Sequence, residues 1–99
     1  MITGPQCRAA RALVELSREK VAKLSGIDVD VIAKFENQID VPQADVVERL
    51  KDMLEQAGAV FIPEGTRGIG VRLKFTASET KRLGILENEG GLARPDDVP

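Results

Sequence analysis

Along the first half of the chain, apolar residues recur at intervals of three and four; after Gly58 they recur at intervals of two. The first spacing belongs to amphipathic helices and the second to half-buried strands. Four helices are expected. The first opens on Thr3, Gly4, Pro5 and Gln6, a T-x-x-Q capping box with proline in the first turn, and carries Cys7, Ala10, Leu13 and Val14 on one face to about Leu16. Ser17 is a good N-cap for a second helix with Val21, Ala22 and Leu24 as its apolar positions. Asp28 caps a third, with Val31, Ile32 and Phe35 inward and Ile27 and Ile32 bracketing the cap as a hydrophobic staple. Ser25 and Gly26 lie between these two helices, and glycine takes the left-handed conformation of a sharp turn without steric cost. Asn37 can end the third helix in place of glycine, and residues 38–42 form a loop. The fourth helix, residues 44–57, has the stripe Val46, Val47, Leu50, Met53, Leu54 and Ala57, with Asp45 and Glu48 complementing the dipole of its first turn.

Beyond Gly58, residues 59–62 are a short strand that Pro63 ends, and residues 64–68 are a turn. Ile69, Val71, Leu73 and Phe75 then alternate with Gly70, Arg72, Lys74 and Thr76. The two runs make a β-hairpin. An isolated hairpin is marginal in water, so this one must pack on the helices, pair with a second copy, or do both. An edge strand with apolar residues is a template for pairing, and dimerisation is expected through Val60, Phe61, Ile62, Ile69, Val71, Leu73 and Phe75. A second capping box, Thr76 to Glu79, can start a short fifth helix to about Asn88, and the chain from Gly90 reads as a flexible tail. The expected fold is mainly α: a helical unit over residues 1–58, a hairpin extension over 59–75, and a short helix and tail over 76–99.

Composition narrows the function more than the fold. The chain has 99 residues, 42% hydrophobic and 30% charged, in the ordinary range for one soluble globular domain. It holds no apolar run long enough for a membrane span, and its N-terminus lacks the basic-then-apolar order of a signal peptide, so a cytoplasmic location is expected. Cys7 is the only cysteine, which rules out an intrachain disulfide and suits a small core residue. His, Trp and Tyr are absent. Neither a Cys-His pair nor a Ser-His-Asp triad can be assembled, which argues against hydrolase or zinc chemistry; no enzyme activity, metal or cofactor is expected. The run from Gly65 to Gly70 has glycines but neither the strand–loop–helix context nor the G-K-[ST] ending of a phosphate loop, and reads as a hairpin turn.

Net charge is −2 and the pI about 5.2, whereas nucleic-acid-binding domains are usually basic. The distribution is uneven. Residues 1–34 carry six basic and four acidic side chains, residues 35–64 two basic and seven acidic, and residues 65–99 six basic and five acidic. The positive charge therefore gathers over the first three helices. Two short helices set at a steep angle across a glycine turn make a helix-turn-helix, whose second helix can enter the major groove of DNA.

Residues 6–42 resemble the Cro/CI-type (XRE) family of helix-turn-helix regulators. The likeness lies in the spacing of Arg11, Leu13, Ser17, Glu19, Ala22, Gly26, Ile32, Phe35, Glu36 and Pro42, with Val21 at a leucine position and Ile27 at a valine position. Short members with a C-terminal β extension are similar to homodimeric bacterial or phage transcription regulators. The resemblance implies a structural ion pair between Arg11 and Glu36, and DNA-facing positions at Arg18, Asp28, Val29, Asp30 and Lys34. Arg8, Lys20 and Arg18 are the expected phosphate contacts, and the groove-facing helix runs from Asp28 to Asn37. Lysine can donate to guanine, aspartate can accept from cytosine, and valine can meet a thymine methyl.

The chain departs from the family pattern in three places. Ser or Thr is usual where Asp28 stands, neutral or basic residues where Asp30 stands, and a basic loop where residues 38–41 read Gln, Ile, Asp, Val. These carboxylates oppose phosphate, so a second reading stands beside the first. The same fold can serve as a protein-interaction module, such as an antiactivator, an antitoxin-like partner or a transcription-machinery adaptor. It would bind through the hairpin edge or residues 76–88. The expected partners are thus double-stranded DNA carrying an inverted repeat, a second copy of the chain, and, on the second reading, another protein.

Overall fold

The computed structural model describes residues 1–74. Phe75, the helix expected over residues 76–88 and the tail from Gly90 lie outside the described residues. Helix α1 (Gly4–Val14) starts as its capping box requires: Thr3 Oγ1 accepts from the Gln6 N–H at 3.2 Å and Gln6 Oε1 accepts from the Thr3 N–H at 3.0 Å. It stops earlier than the expected Leu16, because Glu15 takes the left-handed conformation (φ 58°) and Leu16 N–H turns back to the Arg11 carbonyl at 3.0 Å. Ser17 Oγ caps α2 (Arg18–Ser25) by accepting from the Lys20 N–H at 3.0 Å. Gly26, at φ 74°, closes that helix and turns the chain. Asp28 caps α3 (Val29–Glu36), its Oδ1 accepting from the Asp30 N–H at 2.8 Å, and both staple residues, Ile27 and Ile32, are buried.

The end of the third helix differs in detail from expectation. Asn37 is the C-cap of α3 but keeps φ −88°; the left-handed residue is Gln38 (φ 59°), which lets Ile39 N–H reach the Lys34 carbonyl at 2.8 Å. Helix α4 (Ala44–Gln56) has no side-chain cap at its N-terminus, and Gly58, at φ 115°, redirects the chain after it.

The strands β1 (Ala59–Gly65) and β2 (Gly68–Leu73) form an antiparallel hairpin with Ala59 opposite Leu73, Phe61 opposite Val71 and Ile62 opposite Gly70. Pro63 does not end β1, contrary to expectation. Proline is tolerated in an edge strand where no ladder bond is needed from its nitrogen, and it lies within the register shift between Ile62 and Gly65. The turn shortens to Thr66 and Arg67, with Gly68 at φ 90°.

The described chain is thus a small, mostly helical globule of four helices with one two-stranded hairpin. Its core is built from Cys7 and Ala10 of α1, Val21 of α2, Ile32 and Phe35 of α3, Val47, Leu50 and Leu54 of α4, and Ala59 of β1. Leu13 and Leu24, expected inside, are 38% and 54% exposed. The inward side of α2 runs along Arg18, Val21, Ala22 and Ser25, leaving Leu24 outside, and Leu16 packs on the core after the turn at Glu15.

The hairpin lies on the helices. Gln6 is buried, and its Nε2 donates to the carbonyls of Ile62 (3.1 Å) and Gly70 (2.8 Å), a pair facing each other across the hairpin. Phe61, Val71 and Leu73 pack against the helical core, so three of the expected dimerisation residues are engaged within their own chain. Val60 and Ile62 alternate onto the opposite face, and Ile69 is exposed near the tip.

Candidate functional site

The centre of the site is a carboxylate with no contact with solvent. Glu36, the last residue of α3, has a side chain at 0% exposure. Its Oε2 accepts from Arg11 Nε at 2.7 Å and its Oε1 from Arg11 Nη2 at 2.8 Å, a bidentate pair whose planar fork matches the carboxylate. Arg18 Nε donates to Oε1 at 3.0 Å, and the Cys7 thiol donates to Oε2 at 3.4 Å. One carboxylate of α3 therefore holds two residues of α1 and the first residue of α2. Arg11 also donates from Nη1 to the Leu16 carbonyl at 3.1 Å, which ties down the turn between α1 and α2.

The charges follow from this geometry. Burial works against ionisation of Glu36, but the hydrogen bonds from Arg11 and then Arg18 outweigh it and hold the carboxyl below the usual glutamate range. The same bond, against a smaller cost of burial, raises Arg11 above its ordinary value. Burial, reinforced by the Glu36 charge, pushes the Cys7 thiol up to about 12. A thiol so protonated is a poor nucleophile. Alkylation of the native protein at pH 8 by a maleimide is expected to be at least a hundredfold slower than in urea, in line with a thiol reached only by unfolding; mass spectrometry of the adduct over time checks it.

The residues expected to face DNA are placed as follows. Asp28, Val29, Asp30, Lys34 and Asn37 are all exposed along α3 and its caps, opposite the buried Ile32, Phe35 and Glu36. Arg8 is exposed on α1 and Lys20 on α2. Arg18 is only partly exposed, because its Nε is committed to Glu36; its terminal nitrogens make no hydrogen bond among the described residues. Lys34 leans on Asp30 one turn earlier, at 3.7 Å. Asp28 spends one oxygen on its own helix cap.

Three features were not anticipated from the sequence. Arg18 joins the Arg11–Glu36 pair, Cys7 donates to the same carboxylate, and Gln6 holds the hairpin. The i, i+4 spacing of Cys7 and Arg11 puts both on one side of α1 and was a usable signal for the second. Nothing local signals the first or third, which depend on elements distant in sequence.

Among the described residues no helix is long and apolar enough to cross a membrane, and no group of three or more His, Cys, Asp or Glu is placed to hold a metal. In comparisons with known proteins, the sequence matches no family model and no curated protein.

Proposed function

We propose that this protein is a cytoplasmic, sequence-specific DNA-binding transcription regulator of the Cro/CI type. On this reading α2, Gly26 and α3 are its helix-turn-helix and α3 enters the major groove. The observation that carries the reading is the mounting of α3. Its inner face is held by Ile32, Phe35 and the Glu36 cluster, while Val29, Asp30, Lys34 and Asn37 are exposed on the outer side. A helix that reads bases must be rigid on one side and bare on the other. Lys34 is the base-reading donor, freed from Asp30 by a low-energy side-chain rotation, since an exposed i, i+4 pair contributes only about 0.3–0.5 kcal/mol. Arg8, Lys20 and the outward nitrogens of Arg18 meet phosphate. The protein acts as a homodimer, because three cations per protomer are few for one half-site alone.

A second reading has its own observation. Ile39 and Val41, in the loop after α3, are 71% and 62% exposed and flank Asp40. An apolar, acidic loop at this place suits a protein partner better than a phosphate backbone.

One experiment separates the two. Genomic fragments are selected by the wild type and by Lys34→Glu at several salt concentrations, and the retained fragments are sequenced. The regulator reading expects an enriched inverted repeat that the variant loses. With about six phosphates neutralised per dimer, the log–log salt slope should be about −5. Absence of enrichment even at low salt would leave the protein-interaction reading.

A further inference from the structure

The hairpin has two edges, and they are unlike. Lys74 donates its N–H to the Gly58 carbonyl at 2.6 Å. Inter-strand bonds alternate along an antiparallel pair, so Val60 and Arg72, and then Ile62 and Gly70, are the next pairs bonded to each other. The intervening residues turn their backbone groups outward: Ala59, Phe61 and Pro63 on β1, and Ile69, Val71 and Leu73 on β2. Pro63 has no N–H to offer, and the register shift after Ile62 distorts the rest of that edge. These are the features by which edge strands are kept from pairing. The β2 edge has neither. Apart from the Leu73 carbonyl, which accepts from Arg72 Nη1 at 3.2 Å in an exposed contact, no hydrogen bond to another element engages Ile69, Val71 or Leu73 among the described residues. Ile69 leaves an apolar side chain in water beside this open edge.

We propose that the open edge of β2 receives β2 of a second copy of this chain, antiparallel about a two-fold axis at Val71, to give one four-stranded sheet. The inference rests on the homodimer half of the reading above and specifies its register. Outward residues must face outward residues in such a pairing, which allows axes at Gly70, Val71 or Arg72. An axis at Arg72 sets the two Arg72 side chains directly opposite each other, and like charges in that position are destabilising. An axis at Gly70 puts Leu73 opposite the turn residue Arg67. The axis at Val71 alone pairs all three outward residues with one another: Val71 with Val71, and Ile69 with Leu73 on the face that carries the apolar core contacts. It also sets each Arg72 opposite a Gly70, where there is no side chain to oppose it. The contact is self-complementary, as a two-fold interface must be.

Gly70 offers the test. Its φ is not positive, and a Cβ there would touch only Ile62 Cδ1, at an ordinary 3.8 Å, so the hairpin itself accepts a side chain. Dimer dissociation constants are measured by analytical ultracentrifugation for the wild type, Gly70→Arg and Gly70→Glu, with circular dichroism confirming unchanged helix content. Gly70→Arg places a second cation opposite each Arg72 and should weaken the dimer about tenfold or more, whereas Gly70→Glu should leave it unchanged or tighter. Equal effects from the two substitutions would overturn the register and leave the homodimer standing. A monomeric wild type would overturn the homodimer as well. The selection of DNA fragments is read separately and decides the regulator reading on its own.

Discussion

Replacing Glu36 by alanine should lower the free energy of unfolding by about 3–5 kcal/mol, the range seen when one partner of a buried ion pair is removed. The size follows from what is left behind. Arg11, whose side chain is 15% exposed, loses two hydrogen bonds and its counter-ion, and Arg18 and the Cys7 thiol each lose an acceptor. Against a total stability of about 5–15 kcal/mol for a domain of this kind, such a loss removes much of the margin. Urea unfolding followed by circular dichroism measures it, and a change within about 0.5 kcal/mol, the scatter of ordinary surface substitutions, would show that the carboxylate is not the tie described above. Glu36→Gln preserves shape and some hydrogen bonding but removes the charge. It should fall between the wild type and Glu36→Ala.

The sign of the pH dependence is fixed by the same group. The carboxyl of Glu36 has a lower pKa in the folded protein than in the unfolded chain, where it lies at about 4.3. Its contribution to stability is therefore complete above the unfolded value and is lost as pH falls through the folded one. The wild type should lose stability below about pH 4 more steeply than Glu36→Gln, which has nothing to protonate at that position. Arg18→Ala should show a smaller loss than Glu36→Ala at neutral pH, since Arg18 is 30% exposed and gives up one bond to the cluster.

The helices were legible because their ends carry local signals. Thr3 with Gln6, Ser17, Gly26 and Asp28 each act within four residues of themselves, and a sequence displays such neighbours directly. The alternation of β2 was legible for the same reason. What the sequence hides is how distant elements meet. Leu13 and Leu24 satisfy helical spacing and still lie outside, because the exact inward side of a short helix is set by its neighbours. Pro63 looks like a terminator from its own chemistry and becomes acceptable only once its strand is known to be an edge. In the candidate site, the exposed side of α3 follows from the placing of Ile32 and Phe35, whereas the capture of Arg18 by Glu36 requires α2 to begin beside the end of α3. Those two facts act in opposite directions on the proposed DNA binding. The exposed side offers Lys34, and the capture withdraws part of Arg18 from any phosphate.

Gly4→Ala should destabilise the protein by about 3 kcal/mol, at the upper end of what overpacking costs. At a helix terminus exposed to solvent, the same change would be neutral or favourable, because alanine restricts the unfolded chain and glycine does not. Gly4 is instead buried, and a Cβ on it would overlap the carbonyl oxygen of Phe35 and crowd the Glu36 Cα. The obstruction is backbone, which cannot rotate away as the end of a long side chain can. The first turn of α1 would have to lift off the end of α3. Gly4 thus sets the closeness of approach that lets Arg11 reach Glu36, since Arg11 lies two turns along α1 and Glu36 follows Phe35 directly. Gly70→Ala is the matched control: its Cβ meets only an ordinary contact, and it should be neutral or stabilise by up to about 1 kcal/mol. Urea midpoints of the two variants, read beside the wild type, decide the matter. If Gly4→Ala is as stable as Gly70→Ala, α1 and α3 do not approach so closely that only a bare Cα fits between them, and Gly4 is not what lets Arg11 reach Glu36.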